Sequence, residues 1–262
     1  MINNRCLVAI KKVINPYVSI KVKEDLSGVI KSNVRMSMNP FDEIALQEAV
    51  RLKEQGALDF IMVVSIGDNC QDILKQALAS GADSALFIKT DQELTSLNIA
   101  KILKYLVLEN NINIVLLGKQ AIDDDCNQTG QMLAGLLKWS QACFVSKIFY
   151  NHDIHDKQAL EIEREVDIGV EKCQIHFPIV ITILDQKTDL PKNMIYVSVA
   201  NLMKANKKVI DAILLQDLHI DNLNFNNIKV LKTYLTPKKP IHIQVSSVNE
   251  LLDKLKHHDK VI

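Results

Sequence analysis

The sequence predicts an α/β fold, a mainly parallel, doubly wound sheet with an antiparallel edge and a C-terminal arm. Three observations carry the prediction. Strand-like and helix-like segments alternate strictly between residues 60 and 118, which implies right-handed crossovers and helices on both faces of a parallel sheet. The strand segments are short, uninterrupted apolar runs, as strands buried on both faces should be. After Trp139 the alternation gives way to successive β runs.

In chain order, residues 6–10 form the first strand. Residues 17–23 alternate apolar and basic positions and read as a second extended run, ending in a turn at residues 24–28. A helix then starts at Asn39-Pro40, with Asn39 suited to the N-cap, Pro40 to the first helical position, and Asp42 and Glu43 to the positive dipole end. Ile44, Ala45, Leu46, Ala49, Val50 and Leu52 supply its buried stripe, and Gly56 suits a left-handed close. Residues 60–66, 85–88 and 112–117 read as strands, and residues 70–79 and 97–109 as helices. Residues 142–150, 159–166 and 170–184 read as antiparallel strands at the sheet edge. Beyond Asp185 the periodicity is lost until a short helix near residues 248–256, and that tail reads as an arm.

The 262 residues are 48% hydrophobic and carry 31 basic against 31 acidic side chains. Zero net charge argues against a nucleic-acid binder, whose affinity comes mainly from neutralising phosphates. The five cysteines are spread with no CxxC pair, which fits a reducing compartment and gives no structural zinc motif. No apolar run has membrane-spanning length, and the N-terminal apolar stretch is shorter than a signal-peptide core. The expectation is a protein of the cytoplasm with no direct membrane insertion. The seven histidines show no metal-ligand spacing.

Ligands of open parallel sheets bind beyond the carboxyl ends of the strands, which directs attention to three loops, at residues 11–16, 66–69 and 118–130. The third reads Gly118-Lys119-Gln120-Ala121-Ile122-Asp123-Asp124-Asp125-Cys126-Asn127-Gln128-Thr129-Gly130. It runs from a strand end into a helix, so its last amides are placed to hold a phosphate with help from the helix dipole. Three adjacent aspartates repel one another unless backbone amides, Lys119 or a ligand offset them. They also admit a plainer reading, as caps of a helix start, and another, as a Mg²⁺ site in an ATP-using enzyme. Cys126 reads as a packed thiol, with a lowered pKa as the alternative near a helix start. Physics alone thus gives a nucleotide- or phosphate-binding α/β domain with a basic arm, which admits an ATP-using enzyme or a nucleotide-sensing module.

Two motifs resemble the β subunit of electron transfer flavoprotein. They are Ser37-Met38-Asn39-Pro40-Phe41-Asp42-Glu43-Ile44-Ala45, followed by Glu48-Ala49-Val50-Arg51-Leu52-Lys53-Glu54, and the block at residues 117–132. The resemblance implies a heterodimer with an α subunit, one FAD held mostly by α, and one AMP buried in β. It implies a carrier without bond chemistry of its own, linking acyl-CoA and related dehydrogenases to a membrane quinone oxidoreductase. It places Ala9, Asn39, Pro40, Phe41, Asp42 and residues 118–129 around AMP. Ile66 stands where the family has a cysteine and keeps only a backbone contact, while Phe41 lies near the flavin.

By the same resemblance, residues 1–185 form the AMP-binding domain, residues 186–208 a partner-recognition loop, and residues 209–262 an arm packing on α. Tyr196, Val199, Ala200, Lys204 and Lys207 are the recognition positions, with Val199 and Ala200 replacing the family's leucine and proline. A eukaryotic member would sit in the mitochondrial matrix. Residues 186–208 carry five lysines against Asp189 alone, a local field suited to an acidic protein partner.

Overall fold

The computed structural model describes residues 3–150, 159–184, 197–220, 223, 228–236, 244–258 and 260–262. Two compact units emerge. One takes Met1–Ile20 and Lys31–Lys229, the other Lys21–Ile30 and Val230–Ile262.

The first unit is built on a sheet of nine strands. Its strands are β1 (Arg5–Ala9), β4 (Phe60–Gly67), β5 (Ser84–Lys89), β6 (Ile114–Gly118), β7 (Ser140–Phe149), β8 (Ala159–Val166), β9 (Gly169–His176), β10 (Ile179–Ile183) and β11 (Asp211–Leu214). They run in the order β11-β5-β4-β1-β6-β10-β7-β8-β9. Every pairing from β11 across to β7 is parallel, and the β7-β8-β9 margin is antiparallel. A separate ribbon pairs β2 (Lys12–Ile14) with β3 (Met36–Met38).

Helices cover both faces. On one side α1 (Pro40–Glu54), α2 (Gln71–Ser80) and α5 (Val199–Lys207) share a core with Cys6, Val8, Ile61, Val63, Leu116 and Ile181. On the other, α3 (Ser96–Glu109) and α4 (Thr129–Leu137) pack with Leu7, Val64, Val115 and Val180. Successive residues of β1 thus point into opposite cores, as the period of a strand requires. Burying each large aliphatic side chain here contributes about 1.5–3 kcal/mol. Helix α1 closes as its sequence suggests: Gly56 has φ 78° and the Ala57 amide donates back to the Leu52 carbonyl at 2.9 Å. Helix α2 ends at Gly81 with φ 125°, where an added Cβ would also lie 3.0 Å from Val50.

Two sequence expectations are corrected. Residues 170–184 are two strands and not one: β9 is an antiparallel edge strand, while β10 enters the parallel sheet between β6 and β7. All five residues of β10 are buried, the mark of a central parallel strand. Residues 17–23 form no strand, and an isolated Val22–Val29 bridge is the sole ladder contact there. Their alternation has no sheet neighbour to satisfy its backbone. The region beyond Asp185 holds more order than its sequence pattern implies, since it supplies α5 and the outermost parallel strand β11.

The second unit contains the Val22–Val29 bridge, a bond from the Thr233 amide to the Leu26 carbonyl at 2.9 Å, and the short helix α6 (Val248–Asp253). Leu231, Tyr234 and Leu235 are exposed on it.

Candidate functional site

Strand β1 lies between β4 and β6, and beyond its carboxyl end the start of α1 meets the loop that follows β6. Gly118, the last residue of β6, makes the approach of α1 possible. A Cβ there would stand 2.5 Å from Oδ1 of Asp42 and 2.7 Å from the carbonyl carbon of Phe41. Gly130 does the same for α4, since a Cβ there would meet Cγ2 of Thr182 at 2.4 Å.

Asn39 does not cap its own helix, contrary to the sequence expectation. Its side chain crosses to the loop after β6, where Nδ2 donates to the Gln120 carbonyl at 2.9 Å and Oδ1 accepts from the Ile122 amide at 3.2 Å. Asn39 is fully buried, so both bonds lie away from water. Its backbone amide donates to the Lys11 carbonyl at 2.9 Å. Asp42, in the first turn of α1, is buried too and accepts the Lys11 amide at 2.8 Å. Burial pushes its carboxyl up to about 7, against the opposing hydrogen bonds from Lys11, Asn39 and Gly118.

The cation that pairs with the aspartate run is Lys11 and not Lys119. The ammonium of Lys11 lies 2.7 Å from Asp123 Oδ1 and 2.9 Å from Asp124 Oδ2. The two carboxylates hold its proton, so the Lys11 pKa rises although burial opposes the charge. Asp124 is shifted down by the same lysine and by the Cys126 amide, with desolvation opposing. Asp125 turns away and accepts from the Gln120 side chain. It and Asn127 take left-handed backbone, with φ 53° and 50°, a conformation that Asp and Asn tolerate better than most residues. Lys119 extends over the Phe41 ring, 4.9 Å from its centroid, a cation–π geometry.

Among the described residues, no group of three or more His, Cys, Asp or Glu side chains is arranged to hold a metal ion. Cys126 is exposed and its thiol is pushed up, first by desolvation and then by Asp124. That overturns both the packed and the acidified readings. Ala9 and Ile66 stand half-buried at the ends of β1 and β4. Pro40 and Phe41 open α1, while Ala121, Ile122, Gln128 and Thr129 complete the path from β6 to α4. The starts of α1 and α4 both lack a side-chain cap. In α1 Pro40 has no N–H and the Asp42 and Glu43 amides donate to the Asn39 carbonyl at 3.0 Å, so the uncapped start of α4 is the one whose first amides suit an anion such as a phosphate.

Val199, Ala200, Lys204 and Lys207 lie on α5, exposed, with Ala205 turned to the core. Tyr196 falls outside the described residues. Lys11 is the residue at this site that the sequence reading did not single out, and it pairs with Asp123 and Asp124. Its position, directly after a buried strand in the sheet centre, is the signal that pointed to it.

The electron transfer flavoprotein domain model matches residues 27–218. The chain belongs to the electron transfer flavoprotein family. Within that family its relatives are β subunits. It is 46% identical over 259 residues to the mitochondrial electron transfer flavoprotein subunit beta of Arabidopsis thaliana, covering 98% of this chain and all of the relative. The subunit beta of Dictyostelium discoideum is 42% identical over 255 residues, covering 97% of this chain and 98% of its own. The human subunit beta is 39% identical over 262 residues, at 98% of each. No helix among the described residues is long and apolar enough to cross a membrane.

Proposed function

We propose that this chain is the β subunit of a heterodimeric electron transfer flavoprotein and that it holds a structural AMP. The α subunit would hold most of one FAD. The complex carries electrons from acyl-CoA and related dehydrogenases to a membrane quinone oxidoreductase, and this chain makes and breaks no covalent bond. The observation that supports this best is the meeting of the two motif segments, residues 37–45 and 117–132, beyond the ends of β1 and β6 in a chain related to β subunits along nearly its whole length.

In this reading the nucleotide lies against Ala9, the α1 start at Asn39, Pro40, Phe41 and Asp42, the backbone of Ile66, and the loop at residues 118–129. Its phosphate takes the α4 amides. Phe41, already covered by Lys119, faces toward the flavin. Residues 186–208 meet the dehydrogenase through Tyr196, Val199, Ala200, Lys204 and Lys207, with the basic field of the segment guiding the encounter. Residues 209–262 pack on α, which gives the exposed Leu231, Tyr234 and Leu235 an apolar partner. The compartment is the cytoplasm in a bacterium and the mitochondrial matrix in a eukaryote, as the word mitochondrial in the Arabidopsis relative's name suggests.

The test is to purify the chain with its α partner, denature the complex, and quantify what is released. One FAD and one AMP per pair is the expected result. Release of neither sinks the proposal, and FAD without AMP removes the role given to residues 118–129.

A further inference from the structure

Lys11 and Lys12 follow the central strand β1 and reach in opposite directions, as adjacent side chains of an extended segment do. Lys11 crosses to the β6–α4 loop, where it pairs with Asp123 at 2.7 Å and Asp124 at 2.9 Å. Lys12 crosses to the other side, where its ammonium donates to the Asn69 carbonyl of the β4–α2 loop at 2.7 Å and lies 2.7 Å from Oδ2 of Asp72 in the first turn of α2. Because β4, β1 and β6 are neighbours in the sheet, these two loops flank the carboxyl end of β1 on its two sides. The root of the pair is fixed as well, since the Lys11 amide is bound by Asp42 and its carbonyl by the Asn39 amide.

We propose that Lys11 and Lys12 form a double clasp that holds both flanking loops, the walls of the proposed nucleotide site, onto the end of β1 and so sets the rate at which the nucleotide leaves. The inference rests on the nucleotide reading given above. Both lysines act as positioning residues. Lys11 has three N–H donors and commits two to Asp123 and Asp124, so its charge is directed at the loop. Without it, two neighbouring carboxylates repel each other with no cation between them, and the β6–α4 loop opens. Without Lys12, the turn at Asn69, whose φ is 51°, loses the ammonium that ties it to the strand end.

The experiment uses the complete α–β complex, comparing wild type with Lys11→Met, Lys12→Met and Lys11→Arg. Two quantities are read: amide hydrogen exchange at residues 119–128 and 67–72, and release of labelled AMP into excess unlabelled AMP. Lys11→Met should speed exchange about fivefold at residues 119–128 and leave residues 67–72 unchanged, since partly exposed ion pairs are each worth little and this one is double. Lys12→Met should do the reverse. Both should hasten AMP release, and Lys11→Arg should stay near wild type in both measurements. Unchanged exchange in Lys11→Met and Lys12→Met overturns the clasp. Faster AMP release with unchanged exchange at residues 119–128 overturns it too, making Lys11 a direct phosphate ligand. If the wild-type complex carries no AMP, the nucleotide reading fails, while the exchange data still decide whether the lysines hold the walls.

Discussion

The backbone amide of Lys11 donates to the buried carboxyl of Asp42 at 2.8 Å, and burial raises that carboxyl to about pH 7. An acid whose folded pKa is raised disfavours the folded state once it must ionise. Its ordinary pKa is about 3.9. Below that value the group carries no penalty, and as pH rises from about 4 to about 7 stability is lost, with no further change above. Asp42→Asn keeps an acceptor for the Lys11 amide and removes the titration. Urea unfolding followed by Trp139 fluorescence should show wild type losing about 4 kcal/mol relative to Asp42→Asn between pH 4 and pH 8. Parallel curves across that range would refute the raised carboxyl.

Asn39 distinguishes a cross-link from a cap. An N-cap tolerates exchange among Asn, Asp, Ser and Thr. The bonds from Asn39 to the Gln120 carbonyl and the Ile122 amide require both a donor and an acceptor at full burial. Asn39→Asp cannot donate to Gln120, and Asn39→Ser does not reach the loop. Each, like Asn39→Ala, should cost about 2–4 kcal/mol, because buried backbone groups are left without partners. Retention of wild-type stability by the Asp or Ser variant would restore the capping role.

These two residues also show what was legible in the sequence. The α/β class, the helix starting at Pro40 and the loop at residues 118–130 follow from local pattern: periodicity, a proline at a helix start, an apolar run ending in glycine. What Asn39 bonds was not legible, because its partners lie 81 and 83 positions away. The same holds for Lys11, whose carboxylates are 112 and 113 positions away and nearer in sequence to Lys119. Sequence proximity favoured Lys119 for that role, and the sheet order decided otherwise. Strand β10 was hidden for a different reason. Residues 170–184 look like one β run, yet only Ile179–Ile183 is apolar at every position save Thr182, and that contrast with β9 is what separates a central from an edge strand.

Two glycines predict substitutions of opposite sign. Gly118→Ala places a methyl against the Phe41 backbone and the Asp42 carboxyl, neither of which can retreat without moving α1 from β6. A cost of about 3 kcal/mol is expected, together with loss of bound nucleotide from the complex. Gly135 sits in α4 with nothing within 4 Å of an added Cβ. Gly135→Ala should therefore stabilise by about 0.5–1 kcal/mol through helix propensity and a less free unfolded chain. Denaturant midpoints of the two variants, moving apart in opposite directions from wild type, provide the check.

Cys126 reports on the charge balance of the same loop. Its thiol is exposed, yet desolvation and the neighbouring Asp124 raise its pKa, while Lys11 and the Ser96 hydroxyl pull it down. Only the thiolate is alkylated, so iodoacetamide near neutral pH should modify Cys126 more slowly than free cysteine. Cys6 is fully buried and its pKa is raised further still by desolvation, so it should remain unmodified while the chain is folded. Asp124→Asn removes a repelling negative charge and should speed the Cys126 reaction severalfold. Lys11→Met removes the compensating positive charge and should slow it. Rates from mass spectrometry of the Cys126 peptide give the order Asp124→Asn, wild type, Lys11→Met. Cys126 is already exposed, so opening of the loop adds little access, and a Lys11→Met rate equal to or above wild type would refute the effect of the lysine's charge on this thiol.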